Sequence, residues 1–220
     1  MPNRYSARGP EAESEPGSRG RVLRNQLRIV SVREMAFRES KSLYVTTQRV
    51  IDETQLEQRF TANDIQGMHR KWLGEIYAWA GEYRQVNMGK GSFMFAAATQ
   101  VPRLMTEFER GPLLEYTPCH FDAVEKQAHA LAVVHAELIL IHPFRDGNGR
   151  CARLLSILMG SQAGLPTLDF NGIRGEKKRQ YIAAVHAALG RDYEPMTKIF
   201  RSVIARTLRT AQQPSPRIFS

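Results

Sequence analysis

One short stretch of the chain, from His142 to Arg153, gathers the side chains that phosphate chemistry needs. His142 is the group in it that can accept a proton near neutral pH. Asp146 is placed to hold a divalent cation such as Mg²⁺, which takes one or two carboxylates together with phosphate oxygens and water. Arg150 and Arg153 lie three residues apart, so both share one face of a helical turn and can hold phosphate oxygens.

The glycines in the same stretch predict how the backbone runs. Pro143 cannot lie inside a helix, so the preceding helix is expected to end near Ile141. Gly147 and Gly149 permit a tight turn, and apolar residues return at helical spacing directly after it. The first amides of a helix have no intrahelical partner and lie at the positive end of the helix dipole. This turn therefore predicts an anion-binding site at a helix N-terminus.

The elements that must position this stretch are mostly helical. N-terminal capping patterns predict helices that begin after Ser31, Thr61 and Thr99, and the helix after Thr61 is expected to reach Trp79. Helical spacing of apolar residues predicts four further helices, over about 121–138, 149–160, 174–189 and 195–209. The helix after Ser31 is expected to be short. Residues 41–60 stay ambiguous between strand and helix, because β-branched residues precede a helical spacing.

One segment, residues 84–96, breaks the helical pattern. Glycines flank Lys90, and Phe93 and Phe95 lie two residues apart, which is typical of a β-hairpin with its turn at Gly89 to Gly91. The sequence thus predicts an all-α domain with one small hairpin. We expect a flexible tail over residues 1–20, the domain over 21–209 and a second flexible tail over 210–220.

Composition excludes several other classes of protein. The chain has 220 residues, of which 42% are hydrophobic and 24% charged, as expected of one globular domain. It contains no apolar run long enough to cross a bilayer, and its first twenty residues do not resemble a secretory signal. The two cysteines lie far apart, which gives no support to a disulfide framework or a zinc site. We therefore expect a cytoplasmic protein with no membrane partner.

The net charge of +9 comes mostly from the last quarter of the chain. Such an excess can attract a polyanion or an acidic protein, but a solvated helix face is the simpler interpretation. Direct binding to nucleic acid is the weakest hypothesis, since no helix-turn-helix with a basic recognition face is evident.

The stretch His142–Arg153 resembles the motif of the Fic family, H-x-F-x-[DE]-G-N-G-R-x-x-R, at every fixed position. Residues 79–84, 90–96 and 192–195 are also similar to family segments, and the resemblance covers roughly residues 20–207. It implies a Fic-type helical domain with a β-hairpin flap. It also implies a protein adenylyltransferase that moves AMP from ATP to a Tyr, Thr or Ser hydroxyl of a target protein.

The resemblance also implies a role for each motif residue. His142 would deprotonate the target hydroxyl, and Asp146 would coordinate Mg²⁺ on the phosphates. The nucleotide phosphates would be held by Gly147, Asn148, Gly149, Arg150 and Arg153. Relatives that phosphorylate carry lysine at the position of Gly149, so this glycine favours AMP transfer. A relative that transfers another nucleotide or phosphate-containing group remains the alternative enzyme hypothesis.

The hairpin is similar to the family's target-binding flap, which pairs with an extended segment of the target by main-chain hydrogen bonds. The flap residues implied in this way are Lys90, Gly91, Ser92, Phe93, Met94 and Phe95. Lys90 is either a target contact or a solvated turn residue, and the two phenylalanines are expected to pack partly on the core.

The resemblance further implies partners. The compact chain is similar to the toxin of a toxin–antitoxin pair, and such toxins modify the ATPase subunits of DNA gyrase and topoisomerase IV. Many family members inhibit themselves through a helix with the pattern [ST]-x-x-x-E-[GN], whose glutamate pairs with the second motif arginine. No glutamate of this chain is followed by glycine or asparagine. We therefore expect a small separate antitoxin that supplies this glutamate in trans.

Overall fold

The structure is a computed structural model that describes residues 13–91 and 93–212, together with the backbone of residues 6–7. Its helices are α1 (Val32–Glu53), α2 (Ala62–Leu73), α3 (Val101–Phe108), α4 (Leu114–Tyr116), α5 (Val124–Ile141), α6 (Asn148–Gln162), α7 (Glu176–Ala187) and α8 (Glu194–Gln212). A π-helical turn, Glu109–Leu113, joins α3 to α4. The strands are β1 (Ser6–Ala7), β2 (Met88–Lys90) and β3 (Phe93–Met94). This architecture confirms the predicted all-α class with a small hairpin.

Helix α5 forms the centre of the molecule. It packs against α6 and α8, and its apolar side chains are buried around most of its circumference. Leu131, Val134 and Leu138 have no exposed surface. A helix that is apolar on all sides is stable only when neighbouring elements cover it. Because α5 ends at Ile141, directly before the motif, this buried helix gives the site a rigid base.

The first two helices begin at the predicted caps but end elsewhere. Ser31 accepts a hydrogen bond from the Glu34 amide, yet α1 runs for 22 residues, so the short helix was wrong and the ambiguous residues continue α1 to Glu53. Thr61 and Asp64 form a complete capping box at the start of α2. Helix α2 stops at Leu73 rather than at Trp79, and Gly74, a poor helix former, follows it.

The strands form a three-stranded antiparallel sheet with the order β1-β2-β3. In the hairpin, Lys90 pairs with Phe93 and Gly89 pairs with Met94, so Gly91 and Ser92 lie between the strands. The turn is therefore shifted from the predicted position at Gly89 to Gly91. Gly91 has a φ of +62°, which suits a glycine at a tight turn. Ser92 itself lies outside the described residues.

Both predicted tails overlap ordered elements. The backbone of Ser6–Ala7 pairs with β2, and within residues 13–20 the Glu15 amide donates to the carbonyl of Val22. Helix α8 extends to Gln212, beyond the expected domain end at residue 209. The rest of the two predicted tails, residues 1–5, 8–12 and 213–220, lies outside the described residues. Among the helices that the structure describes, none is both long and apolar enough to cross a membrane.

Candidate active site

The site begins where α5 ends. His142 adopts a left-handed backbone conformation, with a φ of 53° and a ψ of 58°, and its amide donates to the carbonyl of Leu138 at 3.1 Å. Histidine occupies this region more readily than most residues, and Pro143 prevents the helix from continuing. The chain therefore turns sharply at His142.

The environment of His142 determines which nitrogen can act as a base. Its Nδ1 lies 3.1 Å from the carbonyl oxygen of Ile139. A carbonyl can only accept, so Nδ1 carries the proton and Nε2 keeps its lone pair. Burial lowers the pKa of His142 to about 3, chiefly by desolvation. The imidazole is consequently neutral at pH 7, and the ring of Phe95 stacks on it with a centroid distance of 3.6 Å.

Arg84 ties the hairpin to the motif loop. Its guanidinium is buried and donates to four carbonyl oxygens. Nε donates to His142 at 2.7 Å, one terminal nitrogen to Val86 at 2.7 Å, and the other to Ala96 at 2.5 Å and Ile141 at 3.4 Å. The amide of Arg84 also donates to the carbonyl of Pro143 at 2.9 Å. A planar guanidinium can bond several acceptors at fixed angles. Arg84 thus fixes the base of the flap relative to the general-base candidate.

The glycine turn follows the prediction in its main features. Gly147 has a φ of +81° and precedes the first residue of α6. A Cβ at this position would lie 2.6 Å from the indole of Trp72, so glycine is needed for space as well as for conformation. Gly147 and Gly149 line the same cleft as His142, so an anion bound there would meet the positive end of the α6 helix dipole.

The side chain of Asn148 forms hydrogen bonds within the motif loop. Its amide oxygen accepts from the Phe144 amide at 2.8 Å, and its amide nitrogen donates to the Phe144 carbonyl at 2.7 Å. The residue is only 1% exposed, so both ends of the side chain are occupied inside the loop. Asn148 therefore shapes the loop, and its part in holding the phosphates, which the resemblance implies, stays a prediction.

Asp146 lies at the edge of the turn, supported by His69 of α2. His69 Nδ1 accepts a hydrogen bond from the Gly81 amide at 2.8 Å, so its Nε2 carries the proton that is donated to the Asp146 carbonyl at 3.0 Å. Burial lowers the pKa of His69 to about 4, and the ring stacks on Phe144. His69 lies outside the motif, on α2, and holds the loop that carries Asp146.

The two motif arginines sit in different surroundings. Arg150 lies over the ring of Trp72 at 4.5 Å and pairs with Glu39 of α1 at 2.5 Å, while its other terminal nitrogen is 3.6 Å from Asp146. Arg153 lies 5.7 Å from the ring centroid of Phe170, and its Nε has no hydrogen-bond partner among the described residues. Within that same part of the chain, no acidic side chain forms an ion pair with Arg153.

These groups line a single cleft of about 630 Å³. Its floor is the motif, with His142, Asp146, Gly147, Gly149, Arg150 and Arg153. One wall is the flap, with Lys90, Gly91, Phe93 and Phe95. Met94 does not line the cleft and is 64% exposed, because neighbouring residues of a strand point to opposite faces.

The opposite wall was missed at the level of sequence. It consists of Ile173 and of the α7 residues Lys178, Tyr181, Ile182, Val185 and His186. The ring of His186 stacks on that of Phe93 at 4.8 Å, so the flap contacts this wall above the motif. The helical spacing of the α7 residues, with Lys178 in a basic run, predicted only a solvated amphipathic helix. Nothing in that spacing indicated that the helix lines a cleft.

Tyr181 is oriented from behind by His135 of α5. The Tyr181 hydroxyl lies 2.8 Å from His135 Nε2, and His135 Nδ1 lies 3.1 Å from the hydroxyl of Ser156. Because the Ser156 hydroxyl donates to the Ala152 carbonyl, it accepts from Nδ1, which leaves Nε2 to accept from the tyrosine. Burial lowers the pKa of His135 to about 3. The histidine therefore stays neutral and fixes one residue of the cleft wall.

Comparisons with known proteins agree with this arrangement. Residues 59–159 match the model of the Fic/DOC family. The chain is 28% identical over 155 residues to protein adenylyltransferase VbhT of Bartonella schoenbuchensis, which is 70% of this chain and 31% of that protein. It is 30% identical over 155 residues to protein adenylyltransferase Fic of Nematostella vectensis, again 70% of this chain and 34% of that protein. The chain thus spans about a third of the length of these curated relatives.

Solved structures share the fold. The BepC protein of Bartonella tribocorum, crystallised with bound AMPPNP, superposes with a TM-score of 0.67 at 22% identity, over 82% of this chain and 91% of that chain. A Fic-domain signaling protein of Bacteroides thetaiotaomicron superposes with a TM-score of 0.64 at 26% identity, over 80% of this chain and 71% of that chain. The family model covers both the capping box of α2 and the complete motif. The chain therefore carries a domain of the Fic/DOC family.

Proposed function

We propose that this protein transfers AMP from ATP to a hydroxyl side chain of a target protein. The observation that carries the proposal is the position of a neutral histidine, protonated at Nδ1, beside the N-terminus of α6 and the two motif arginines in one cleft. The named relatives are protein adenylyltransferases, which supports the same reaction class. In this reaction the target oxygen bonds to the α-phosphorus, and pyrophosphate leaves.

Different residues of the cleft have different roles in this reaction. His142 Nε2 accepts the proton of the attacking hydroxyl. The first amides of α6 and the guanidinium groups of Arg150 and Arg153 stabilise the phosphate charge and hold the α-phosphorus in line. Transfer of this kind depends mainly on positioning and charge neutralisation. The apolar side chains of Ile173, Ile182 and Val185 offer the opposite wall to a purine base.

Asp146 fits the expected Mg²⁺ ligand. Among the described residues there is no group of three or more His, Cys, Asp or Glu side chains that could hold a metal without help. Mg²⁺ commonly binds through one or two carboxylates and completes its shell with phosphate oxygens and water. A lone carboxylate lining a phosphate cleft suits that pattern. The metal would add positive charge on the phosphates, and Asp146 would hold it.

The flap offers one free edge to a target. β1 pairs with the outer edge of β2, whereas β3 has β2 as its one neighbour among the described strands. The side of the hairpin that lines the cleft includes Phe93 and Phe95. We therefore propose that an extended target segment adds to β3, which brings its hydroxyl toward His142. Main-chain pairing of this kind tolerates different target side chains.

The position of the radioactive phosphate in ATP tests the reaction. Lysate proteins are incubated with the chain and with ATP labelled at either the α- or the γ-phosphate. AMP transfer predicts labelling from the α-labelled donor alone, and no labelling with the His142→Ala variant. Labelling from the γ-labelled donor would instead support phosphate transfer, and the same signal with His142→Ala would remove histidine from the reaction.

We further propose that a small antitoxin inhibits this protein in trans. Arg153 faces the cleft without an acidic partner among the described residues, as expected if the glutamate comes from another chain. Phe37 and Tyr44, seven residues apart on α1, are 65% and 69% exposed and offer an apolar face to a partner helix. Expression of the chain alone should stop growth of the host cells, whereas expression of the His142→Ala variant should not. A large rise in labelling after deletion of residues 1–20 would contradict inhibition in trans.

We propose that the targets are the ATPase subunits of DNA gyrase and topoisomerase IV. This proposal rests on the resemblance to toxin-type relatives alone. Purified subunits incubated with α-labelled ATP should become labelled on a tyrosine, and Tyr→Phe at the mapped site should remove the label. Labelling of other lysate proteins in preference to both subunits would exclude them as the main targets.

A further inference from the structure

We propose that Glu39 of α1 is a positioning residue for Arg150, which fixes the guanidinium for use on the nucleotide phosphates. The inference rests on the proposed nucleotidyl transfer. Glu39 lies outside the family motif, 111 residues from Arg150, and no spacing in the sequence links the two. It is nonetheless only 8% exposed and contacts Arg150, which lines the cleft.

Both carboxylate oxygens of Glu39 and its backbone carbonyl are directed to this task. One carboxylate oxygen accepts from Arg150 at 2.5 Å, and the other accepts from the hydroxyl of Tyr77 at 2.7 Å. The backbone carbonyl of Glu39 accepts from the indole nitrogen of Trp72 at 2.9 Å. Trp72 is the ring on which Arg150 lies. Glu39 is thus the charge partner of the arginine and also orients its stacking partner, Trp72.

This arrangement restricts the side-chain conformation of Arg150 but does not occupy all of its hydrogen-bond donors. One terminal nitrogen faces Glu39 and the ring of Trp72 covers one face, while the other terminal nitrogen lies on the side of Asp146. An arginine has five N–H donors, so donors remain for phosphate oxygens. Arg150 still lines the cleft. A side chain held in one rotamer before the ligand arrives loses less entropy on binding, which favours phosphate binding.

Two other interpretations of the pair make opposite predictions. If Glu39 withheld Arg150 from the phosphates, weakening the pair would increase activity. If the pair were only a structural ion pair, its loss would lower stability and leave the kinetic constants of the folded protein unchanged. A positioning role predicts weaker nucleotide binding and slower transfer in a protein that remains folded.

The test compares Glu39→Gln with Glu53→Gln, a control on the same helix whose exposed carboxylate pairs with Lys71 and Arg49. We expect Glu39→Gln to raise both the KM for ATP and the Kd for AMPPNP by about 10-fold, a coupling typical of contacting charged residues. Glu53→Gln should leave both unchanged. Tyr77→Phe removes one hydrogen bond to Glu39 and should raise the Kd by roughly 3-fold, which keeps the test available if Glu39→Gln does not fold.

A double-mutant cycle separates positioning from a general effect on the cleft. In the Arg150→Ala background, Glu39→Gln should change the Kd for AMPPNP by less than about 2-fold. Full additivity of the two substitutions, unchanged binding in folded Glu39→Gln, or higher activity of that variant would each overturn the inference. The binding measurement is independent of turnover. If the unaltered chain binds AMPPNP but transfers nothing, the proposed function fails while the role of Glu39 is still tested.

Discussion

Replacement of Arg84 should separate the flap from the motif loop. Arg84→Met removes hydrogen bonds to the carbonyls of His142, Val86, Ala96 and Ile141 and leaves these acceptors without that donor. Hydrogen bonds to charged groups contribute about 1.5–3 kcal/mol each, and removal of the buried charge offsets part of the loss. We expect a net destabilisation on the order of 4 kcal/mol, a large part of the about 5–15 kcal/mol that stabilises a typical domain.

Thermal unfolding and transfer kinetics measure the two consequences of this change. The destabilisation corresponds to a fall in Tm of roughly 10 °C for a chain of this size. Transfer should fall by about 100-fold or more, since the carbonyl of His142 loses its anchor and small misplacements of a catalytic group are costly. In Tm and in transfer rate, Arg84→Lys should lie between the unaltered protein and Arg84→Met, because one ammonium group cannot reach all of these carbonyls.

The matched control is Arg103→Met on α3, where an exposed arginine pairs with Glu107. It should change neither Tm nor transfer, as expected for a surface ion pair. The reasoning about Arg84 would be refuted if Arg84→Lys matched the unaltered protein in both measurements.

The remaining predictions concern the turn, acid stability and the donor. Gly147→Ala should destabilise the fold by about 1–3 kcal/mol in urea unfolding, because of its positive φ and the contact with Trp72; unchanged stability would contradict the geometry. Burial lowers the pKa values of His69 and His135 to about 4 and about 3. Below about pH 6 the unfolded chain therefore binds more protons than the folded chain, and the free energy of unfolding decreases as the pH is lowered. Urea midpoints from pH 7 to pH 5 should show a loss of up to about 1.4 kcal/mol per pH unit for each histidine, and a flat profile would refute this. Arg153→Ala should impair transfer from ATP more than from ADP, and equal losses would exclude a γ-phosphate contact.

Local sequence was sufficient for the motif because its parts are contiguous. Pro143 stops α5, and the residues after it form the turn at the N-terminus of α6 as expected. The hairpin was also predictable from Phe93 and Phe95, although its turn is displaced toward Ser92. Spacing alone cannot fix the pairing of two short strands when several glycines permit a turn.

Contacts between distant residues could not be read from the sequence. Glu39, His69 and Arg84 look like ordinary helix or loop residues until the fold brings them to the motif. The far wall of the cleft comes from α7, whose apolar and basic residues are typical of any surface helix. The loop-shaping bonds of Asn148 have the same origin, since a motif position does not reveal which backbone groups its side chain will bond.

The His142→Ala variant tests the central claim most directly, through nucleotide binding and transfer measured on the same preparation. The phosphates are held by other groups, so the Kd for AMPPNP should stay within a few-fold of that of the unaltered protein, while AMP transfer should fall by about 10²–10⁴-fold. Transfer at the original rate would contradict the assignment of His142 as the general base. A variant that still folds but no longer binds AMPPNP would show that His142 serves binding instead of proton transfer.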